Sequence, residues 1–498
     1  MQLSHLLQPD LALPPGADDA DIRGLSLDSR AVEPGYLFAA LPGAKADGAA
    51  FVSKAIAAGA AAILVSAKAD AGAAGIPVIR ADNPRAALAR IAARFYAAQP
   101  DVAVAVTGTS GKTSVVEFTR QILAACGKRA ASLGTIGLVK PDGGIYGSLT
   151  TPDPISLHKT LAELAGEGVS HVAFEASSHG LDQHRLDGVG LTAGAFTNLG
   201  RDHLDYHADT EAYFDAKMRL FSELLAAGQP AIINADGARS GDVIKIALKR
   251  ALDVRTVGRA GETIRLLDAT RDGFAQRLHL SAGGRETTVR MPLIGAYQVE
   301  NALVAAGLAA ASGVDLNDAI AALEQLSGVK GRLDVVGEVR GGLVVVDYAH
   351  KPEALAAALD ALKPMASGRL ICVFGCGGDR DRGKRPLMGA IAAEKASDVI
   401  VTDDNPRSEM PAAIRAEILA GTAGTNGGAR ITEIGDRRQA IEMAVASLQT
   451  GDIVVIAGKG HETGQIVGNS VLPFSDHEVA AAAITTNSGE IRKVPCAH

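Results

Sequence analysis

The chain has 498 residues, of which 47% are hydrophobic and 21% are charged, with 56 glycines and no tryptophan. This length predicts about three domains, and the composition is typical of loop-rich α/β domains, not of a coiled coil or a disordered chain. The formal net charge is -7 and no block of lysine and arginine runs along the sequence. A nucleic-acid-binding surface is therefore not expected.

The sequence carries no sign of export or of membrane insertion. Residues 1–15 lack the basic and apolar segments of a signal peptide, and no run of about 20 apolar residues predicts a membrane span. The cysteines, Cys126, Cys372, Cys376 and Cys496, fit neither metal-ligand spacing nor a small disulfide framework. We expect a cytoplasmic protein with reduced thiols and no membrane partner.

The first 99 residues of the chain predict a small α/β domain. Short apolar runs at 61–66 and 77–80 are followed by a helical segment at 84–98. Gln99-Pro100-Asp101 then breaks the pattern, as a linker does. We place this domain at residues 1–99.

The second unit, residues 100–330, opens with a wholly apolar run, Val102–Val106, of the kind found in buried parallel strands. A glycine-rich loop, Thr107–Ser114, follows and leads into a helix. This setting predicts a phosphate-binding loop, with Lys112 reaching the β- and γ-phosphates and Thr113 binding Mg²⁺. Val106 stands where the common motif has its first glycine. The alternative is a glycine turn with an exposed lysine.

The last third, residues 331–498, predicts a doubly wound parallel sheet. Apolar runs at 343–346, 370–374, 399–402 and 453–456 alternate with helical segments such as 352–362. Four polar segments follow these runs: Asp347–His350, Gly375–Asp381, Asp403–Arg407 and Gly458–Glu462. They are expected to share one cleft at the carboxyl ends of the strands, although each alone could be a turn or a cap. No role can be assigned to 484–498, which we expect to be dispensable.

Two segments in the second unit are candidates for metal binding. Glu175–Arg185 follows an apolar run at 172–174, and Thr197–His207 comes soon after. Carboxylate and imidazole there suit Mg²⁺ bridging to a triphosphate, although imidazole is an unusual ligand for this ion. Taken alone, His203 is more typical of a hydrogen-bonded structural residue, and Lys217 is typical of a solvated helix lysine.

Together these segments resemble the Mur ligase family, ATP-dependent enzymes that form amide bonds in peptidoglycan synthesis. The family order is followed by Thr107–Ser114, Glu175–Gly180, Thr197–His207, Gly295–Asn301, Gly331–Leu333 and Asp347–His350. Gly375–Pro386, Asp404–Arg407 and Gly458–Glu462 are similar to the members that add the third residue of the peptide. The resemblance extends from Leu27-Asp-Ser-Arg30 to Glu462.

The resemblance implies three α/β domains: a UDP-substrate-binding domain (1–99), a central parallel-sheet ATP-binding domain (100–330) and a Rossmann-like amino-acid-binding domain (331–498). It implies that ATP phosphorylates the carboxylate of UDP-MurNAc-L-Ala-D-Glu. The amine of meso-2,6-diaminopimelate then attacks the acyl phosphate, and a tetrahedral intermediate collapses to the amide. The implied enzyme is a monomer.

Roles are carried over by position. The ATP-binding residues implied are Gly108, Thr109, Ser110, Gly111, Lys112, Thr113 and Ser114, with Asn301 at adenine, Asp347 at ribose and Arg332 at phosphate. The UDP-substrate residues are Leu27, Ser29, Thr150, Thr151, Ser177, Gln183 and Arg185, and the amino-acid residues are Arg380, Asp404, Asn405, Pro406, Arg407, Gly458 and Glu462. The catalytic residues implied are Lys112, Glu175, His203 and Lys217; two Mg²⁺ ions would be held by Thr113, Glu175, His203 and Lys217, the last as a carbamate.

The segment Asp404–Arg407 is the family's sign for meso-diaminopimelate over L-lysine. An arginine fork gives the extra carboxylate of diaminopimelate a bidentate partner, and Glu462 could hold the distal ammonium. The same four letters occur at Asp82–Arg85, where Asn83 before Pro84 is typical of a helix N-cap. Capping therefore stays an alternative at 404–407.

Two other functions stay open. One is a related ligase that adds L-lysine or glutamate, or that extends folates. The other is a nucleotide-binding regulator that carries out no ligation.

Overall fold

The computed structural model describes residues 1–43, 47–70, 72, 75–146, 150–425 and 427–491. Three large sheets, flanked by helices, follow one another along the chain, and each lies within one of the three predicted segments. The predicted α/β class is confirmed, while the precise limits of the domains stay predictions. Within the described ranges, no helix is long and apolar enough to cross a bilayer.

The N-terminal sheet is parallel and has the order β1-β2-β3-β4. Its strands are β1 (Gly24–Ser26), β2 (Tyr36–Ala40), β3 (Ala62–Ser66) and β4 (Val78–Ala81), and its helices are α1 (Leu3–Leu7), α2 (Val52–Ala57) and α3 (Pro84–Tyr96), with a 3-10 turn at Gly48–Phe51. The side chain of Asn83 accepts a hydrogen bond from the Ala86 amide at 3.0 Å, and Pro84 is the first residue of α3. The capping interpretation of the first Asp-Asn-Pro-Arg is confirmed.

The central sheet has the order β15-β14-β13-β12-β11-β10-β5-β9-β6-β7-β8 among the described residues. Its strands are β5 (Val102–Thr107), β6 (Ala130–Gly134), β7 (Gly137–Val139), β8 (Ile145–Tyr146), β9 (His171–Glu175), β10 (Ala193–Phe196), β11 (Pro230–Asn234), β12 (Asp253–Gly258), β13 (Ile264–Asp272), β14 (Ala275–Ala282) and β15 (Arg285–Met291). Its helices are α4 (Lys112–Ala125), α5 (Pro154–Gly166), α6 (Ser178–Asp182), α7 (Thr210–Arg219), α8 (Ser240–Lys249), α9 (Ala296–Ala311) and α10 (Leu316–Ala321), with a π turn at Leu220–Leu224 and a 3-10 turn at Ala322–Gln325.

The prediction of a parallel sheet holds for the centre of this domain and is wrong at its edges. β5 pairs in parallel with β9 and β10, and its middle residues are fully buried. The strands β13, β14 and β15 are antiparallel, as are β6, β7 and β8. β13 and β14 mix buried and exposed side chains, so they lack the continuous apolar runs by which the buried strands were found.

The C-terminal sheet has the order β20-β19-β18-β21-β17-β16-β24 among the described residues. Its strands are β16 (Asp334–Val339), β17 (Gly342–Asp347), β18 (Leu370–Phe374), β19 (Asp398–Val401), β20 (Arg430–Glu433), β21 (Ile453–Ala457) and β24 (Glu490–Ile491), and a separate hairpin pairs β22 (Gly464–Val467) with β23 (Ser470–Pro473). Its helices are α11 (Pro352–Leu362), α12 (Lys384–Lys395), α13 (Pro411–Thr422), α14 (Arg437–Ala446) and α15 (Asp476–Thr486), with a 3-10 turn at Lys363–Met365. The four predicted strands are confirmed and pair in parallel.

The expectation that residues 484–498 are dispensable is wrong for their first half. Ile484 is fully buried in the core between α14, α15 and the sheet. β24 pairs antiparallel with β16, where Gly337 lies opposite Ile491. The segment is too short to show a hydrophobic period, so its pattern does not predict these contacts. Residues 492–498, including Cys496, lie outside the described residues.

Candidate active site

A cavity of about 890 Å³ lies between the central and C-terminal sheets. It is lined by loops that follow the carboxyl ends of β5, β6, β9, β10 and β17, where ligands of parallel sheets collect. The predicted residues that line it are Thr109, Ser110, Gly111, Lys112, Thr113, Ser114, Thr150, Thr151, Glu175, Ser177, Arg185, His203, Lys217, Asn301, Arg332, Asp347 and Arg380. Residues far apart in the chain, predicted separately for nucleotide, metal and UDP-substrate, thus share one cavity.

The loop Thr107–Ser114 has the shape of a phosphate-binding loop. Gly108 and Gly111 have positive φ angles of 144° and 87°. A Cβ at Gly111 would collide with Oδ1 of Asn301, so this position accepts glycine alone without displacing the predicted adenine contact. The loop ends at the N-terminus of α4, whose first residues, Lys112–Ser114, line the cavity.

The side chain of Lys112 folds back onto the glycine-rich loop. Its Nζ donates hydrogen bonds to the carbonyl oxygens of Gly108 and Thr109, at 2.9 and 3.1 Å. Burial and the neighbouring Lys351 lower the pKa of Lys112 to about 8. The alternative of an exposed lysine on a plain glycine turn is therefore wrong.

Thr113 and Glu175 form an oxygen-rich corner of the cavity. Thr113 Oγ1 donates to Glu175 Oε1 at 2.9 Å, and the Thr135 amide donates to the same oxygen at 2.7 Å. Arg332 Nη2 lies 3.2 Å from Thr113 Oγ1. Hydroxyl and carboxylate oxygens are the ligand types that Mg²⁺ takes, so this corner fits the ion. Among the residues described, no group of three or more His, Cys, Asp or Glu side chains is placed to hold a metal ion.

Lys217 is buried, which makes the solvated-helix interpretation wrong. Its relative exposure is 1%, and its Nζ donates to the Gly108 carbonyl at 2.7 Å and lies 4.3 Å from the centre of the Tyr213 ring. Burial, together with Lys112 and Lys351, lowers the pKa of Lys217 well below its usual value. Burial therefore favours the uncharged, nucleophilic form of this amine.

His203 lies beside the same cavity. Its Nε2 is 3.1 Å from Asp202 Oδ2, and its ring centre is 4.7 Å from that of His179. Burial lowers the pKa of His203 to about 4, so its imidazole is neutral at physiological pH. A neutral imidazole has a nitrogen lone pair free to bind a metal.

The predicted nucleoside contacts lie on α9 and at the end of β17. Asn301 Nδ2 donates to Gln298 Oε1 at 3.1 Å. Asp347 accepts hydrogen bonds from the Leu333 and Ala349 amides, both at 2.7 Å, and burial raises the pKa of its carboxyl to about 6.

The predicted UDP-substrate residues divide into two groups. Thr150, Thr151, Ser177 and Arg185 line the cavity, and Gln183 adjoins it by accepting a hydrogen bond from Arg185 Nη2 at 2.8 Å. Leu27 and Ser29 follow β1 in the N-terminal sheet and do not line this cavity. The cavity therefore collects the part of the predicted set that belongs to the central domain.

The amino-acid residues form a second cluster in the C-terminal domain. Asn405 Nδ2 donates to Glu462 Oε2 at 2.9 Å. The fully buried Lys459 donates to both, at 3.1 Å to Asn405 Oδ1 and 2.9 Å to Glu462 Oε2. Gly458 has a φ of 117°, and a Cβ there would lie 2.6 Å from Asp404 Oδ2.

Arg407 and Arg380 stand on either side of this cluster. Arg407 Nη1 donates to the Gly378 carbonyl at 2.8 Å, and Arg380 Nη1 lies 3.8 Å from Asp205 Oδ2 in the central domain. No helix begins at Asp404–Arg407, since the next one, α13, starts at Pro411 after Met410. The capping alternative is wrong at this second Asp-Asn-Pro-Arg.

A buried ion pair holds the two loops that carry Asp404 and Gly458. Arg437 and Asp476 are both fully buried and form two hydrogen bonds of 2.7 Å. Arg437 also donates to the Asp403 carbonyl at 3.3 Å and the Ala457 carbonyl at 2.9 Å. These carbonyls directly precede Asp404 and Gly458, so the pair fixes both loops.

Comparison with known proteins agrees with this geometry. Residues 21–96 match the model "Mur ligase family, catalytic domain", 106–309 the "Mur ligase middle domain" and 331–460 the "Mur ligase, glutamate ligase domain". The chain is 56% identical over 490 residues to the UDP-N-acetylmuramoyl-L-alanyl-D-glutamate--2,6-diaminopimelate ligase of Bradyrhizobium diazoefficiens, covering 98% of this chain and 99% of that protein. The protein belongs to the Mur ligase family.

Two further relatives support this membership. The Brucella melitensis biotype 1 protein of the same name is 56% identical over 491 residues, covering 98% of this chain and 99% of that one. A solved structure of a UDP-N-acetylmuramoyl-L-alanyl-D-glutamate--2,6-diaminopimelate ligase is 34% identical, with a TM-score of 0.69, covering 98% of this chain and 99% of its own. The Mur ligase fold of three α/β domains is thereby confirmed.

Sequence reasoning missed several residues of this Mur ligase site. Asp202 pairs with Lys351 at 2.6 Å inside the cavity, Tyr348 carries Arg332 over its ring at 4.4 Å, and Lys459 joins the amino-acid cluster. Lys351 directly follows a polar loop that the sequence had marked, and Asp202 and Lys459 lie within two others. Their positions were visible in the sequence, but their partners were not.

Proposed function

We propose that this Mur ligase joins UDP-MurNAc-L-Ala-D-Glu to meso-2,6-diaminopimelate with hydrolysis of ATP, through an acyl phosphate, in peptidoglycan synthesis. The observation that carries the proposal is the cavity in which the phosphate-binding loop, the Thr113–Glu175 corner and the predicted UDP-substrate residues meet. The relatives named for this reaction match the chain almost from end to end.

The nucleotide would bind with its phosphates on the loop and its adenosine towards α9 and β17. Backbone amides at the start of α4 and the Lys112 ammonium offer donors to the phosphates. Asn301 is proposed at adenine and Asp347 at ribose, where the carboxylate, fixed by two backbone amides, would accept hydrogen bonds from hydroxyl groups. Arg332, stacked on Tyr348, would complete the phosphate contacts.

Mg²⁺ would be held by Thr113 and Glu175, with His203 and Lys217 near a second ion. When bound, Mg²⁺ screens the triphosphate from the carboxylate that must approach it. Lys217 would carry a carbamate, formed by attack of its uncharged amine on CO₂ with loss of one proton. The low pKa of Lys217, caused first by burial, supports this modification because a protonated amine cannot attack.

The acceptor substrate would extend across the cavity from the N-terminal domain. Thr151 and Ser177 have hydroxyl oxygens 3.0 Å apart, and Arg185 adds a cation for the anionic sugar peptide. Leu27 and Ser29 are proposed at the UDP end.

The amino-acid cluster is proposed to read both ends of diaminopimelate. Arg407, Arg380 and Asn405 would bind its carboxylates. Asp404 and Gly458 would fix its backbone, and Glu462 would bind its distal ammonium. Burial lowers the pKa of Arg407, yet the guanidinium stays charged and gives a distal carboxylate a bidentate partner. L-Lysine lacks that carboxylate and would leave the arginine unpaired.

The test is phosphate release from ATP and Mg²⁺ with UDP-MurNAc-L-Ala-D-Glu, comparing meso-diaminopimelate with L-lysine and with no amino acid. We expect release with diaminopimelate alone, and none from the Lys112→Ala variant. Release with lysine instead would keep the ligase and overturn the pocket assignment; release with neither would remove the proposed function. The cytoplasmic location, the monomeric state and the domain limits at 99 and 330 stay predictions.

A further inference from the structure

The guanidinium of Arg407 is fixed by a second loop of the C-terminal domain. Its Nη1 donates to the Gly378 carbonyl at 2.8 Å, and the Gly378 amide donates to the Asn405 carbonyl at 2.9 Å. A Cβ at Gly378 would collide with the Pro406 carbonyl oxygen, so the two backbones approach closely where a glycine stands. The loop of Gly378 also carries Arg380. The direction in which Arg407 points therefore depends on how these two loops are held together.

Each loop has a residue with a left-handed backbone at this contact. Asp379 has a φ of 52° and Arg407 a φ of 51°. This conformation is uncommon for residues with a Cβ, so tertiary contacts must hold both residues in it. One such contact is made by the Asp379 carboxylate, which accepts hydrogen bonds from the Ser408 amide at 3.2 Å and from the Ser408 hydroxyl at 2.6 Å.

Glu409 connects the two loops to a buried arginine. Its Oε1 accepts a hydrogen bond from the Asp379 amide at 2.6 Å, and its two oxygens accept hydrogen bonds from Arg385 at 2.8 and 2.9 Å. Arg385 lies in α12, is fully buried and also donates to the Gly377 carbonyl at 3.2 Å. The hydrogen bonds with Arg385 lower the pKa of Glu409 to about 2, so the carboxylate is ionised at neutral pH. One carboxylate, two residues after Arg407, thus joins the loop of Asp379 to α12.

Glu417 offers a comparison within the same chain, because it binds the same arginine. It accepts a hydrogen bond from Arg385 at 2.9 Å and another from Arg382, whose side chain is exposed. The Glu417 side chain is 29% exposed, against 23% for Glu409. Loss of either carboxylate takes one partner from Arg385 and leaves the other, but it is loss of Glu409 that frees the Asp379 amide.

We propose that Glu409 is a positioning residue that sets the specificity for the distal carboxylate of diaminopimelate by acting through Arg407. This inference rests on the proposed ligase function. Glu409 holds the Asp379 amide, and with it the neighbouring Gly378 carbonyl that receives Arg407 Nη1. The remaining N–H groups of the guanidinium are thereby presented to the carboxylate that L-lysine lacks. Glu409 itself does not touch the substrate in this scheme.

The experiment measures initial rates of phosphate release over a range of diaminopimelate concentrations, with ATP and UDP-MurNAc-L-Ala-D-Glu saturating. Glu409→Ala should raise the KM for diaminopimelate by about 10-fold, the scale of one weakened hydrogen bond to a charged group. Its kcat and its KM for ATP should stay within about twofold of wild type, because the lost contact concerns binding of the amino acid. Glu417→Ala, the matched control, should keep all three values, while calorimetry should show both variants destabilised.

A cycle of single and double variants with Arg407→Ala separates positioning from a general loss of structure. If Glu409 acts through Arg407, Glu409→Ala should raise the KM by less than about threefold in a protein that already lacks the arginine. Equal factors in the two backgrounds would overturn the inference. A KM for diaminopimelate no higher in Glu409→Ala than in Glu417→Ala would also overturn it.

Glu409→Asp and Glu417→Asp keep the inference testable if the alanine variant does not fold. Aspartate keeps a negative charge for Arg385, but its side chain is one methylene shorter and cannot bridge the guanidinium and the Asp379 amide. We expect a raised KM for diaminopimelate in Glu409→Asp and a wild-type KM in Glu417→Asp, and equal values in the two would contradict the inference. A wild-type enzyme that releases no phosphate with diaminopimelate would instead remove the proposed function itself.

Discussion

Replacing Asp476 by alanine would leave the Arg437 guanidinium charged, fully buried and without its carboxylate partner. Two hydrogen bonds of 2.7 Å are lost in that change, and the remaining contacts of the arginine are backbone carbonyls. Breaking a buried pair on one side costs about 3–5 kcal/mol, because a desolvated charge stays uncompensated. For a domain of this size the melting temperature should fall by roughly 6 to 20 °C.

The assay is differential scanning calorimetry of Asp476→Ala, of the double variant Arg437→Met/Asp476→Leu and of Asp360→Ala. The double variant removes both charges and should recover most of the loss. Asp360 pairs with Lys395 at a side-chain exposure of 56%, so its removal should cost less than about 1 kcal/mol. A loss in Asp476→Ala no greater than that in Asp360→Ala would refute the reasoning. In the same variant the KM for diaminopimelate should rise, because the loops at Asp403 and Ala457 lose their support.

Four further predictions concern the site. Lys217→Ala should be inactive and partly restored by short carboxylic acids, which can replace the carbamate; full activity with no added acid would exclude that role. Arg407→Ala should raise the KM for diaminopimelate by about 10-fold or more and leave that for ATP unchanged, as a lost charged hydrogen bond of about 1.5–3 kcal/mol requires. The KM for ATP should rise as the pH falls through about 6, where the Asp347 carboxylate takes up a proton, and Asp347→Asn should lose this dependence, both read from initial rates. Gly111→Ala should weaken nucleotide binding, measured calorimetrically, because its Cβ would displace Asn301.

The buried parts of this fold could be predicted from sequence because they leave a local signal. β5, β18 and β21 are short apolar runs. The polar loops after them contain more charged residues and glycines than a simple turn requires. The edge strands β13 and β14 mix buried and exposed side chains. A period of two over a few residues is a weak signal in a sequence.

The contacts within the site could not be predicted from local sequence patterns. Asp82–Arg85 and Asp404–Arg407 are identical in letters, yet the first caps α3 and the second contributes to a hydrogen-bonded cluster with Glu462. The two segments differ in the residues that tertiary folding places around them. The contact of Lys351 with Asp202 is likewise set by the docking of two domains, which no spacing along the chain encodes.

The short strand β24 protects one edge of the C-terminal sheet. Among the described residues it is the edge strand of the C-terminal sheet, pairs only with Gly337 and Glu338 of β16, and has both of its residues exposed. Very short edge strands are one way in which proteins keep a sheet from pairing with a neighbouring molecule. A chain shortened to Thr486 would uncover the backbone of Gly337 and Glu338, so the end of the chain shields this edge of the sheet from pairing with a second molecule.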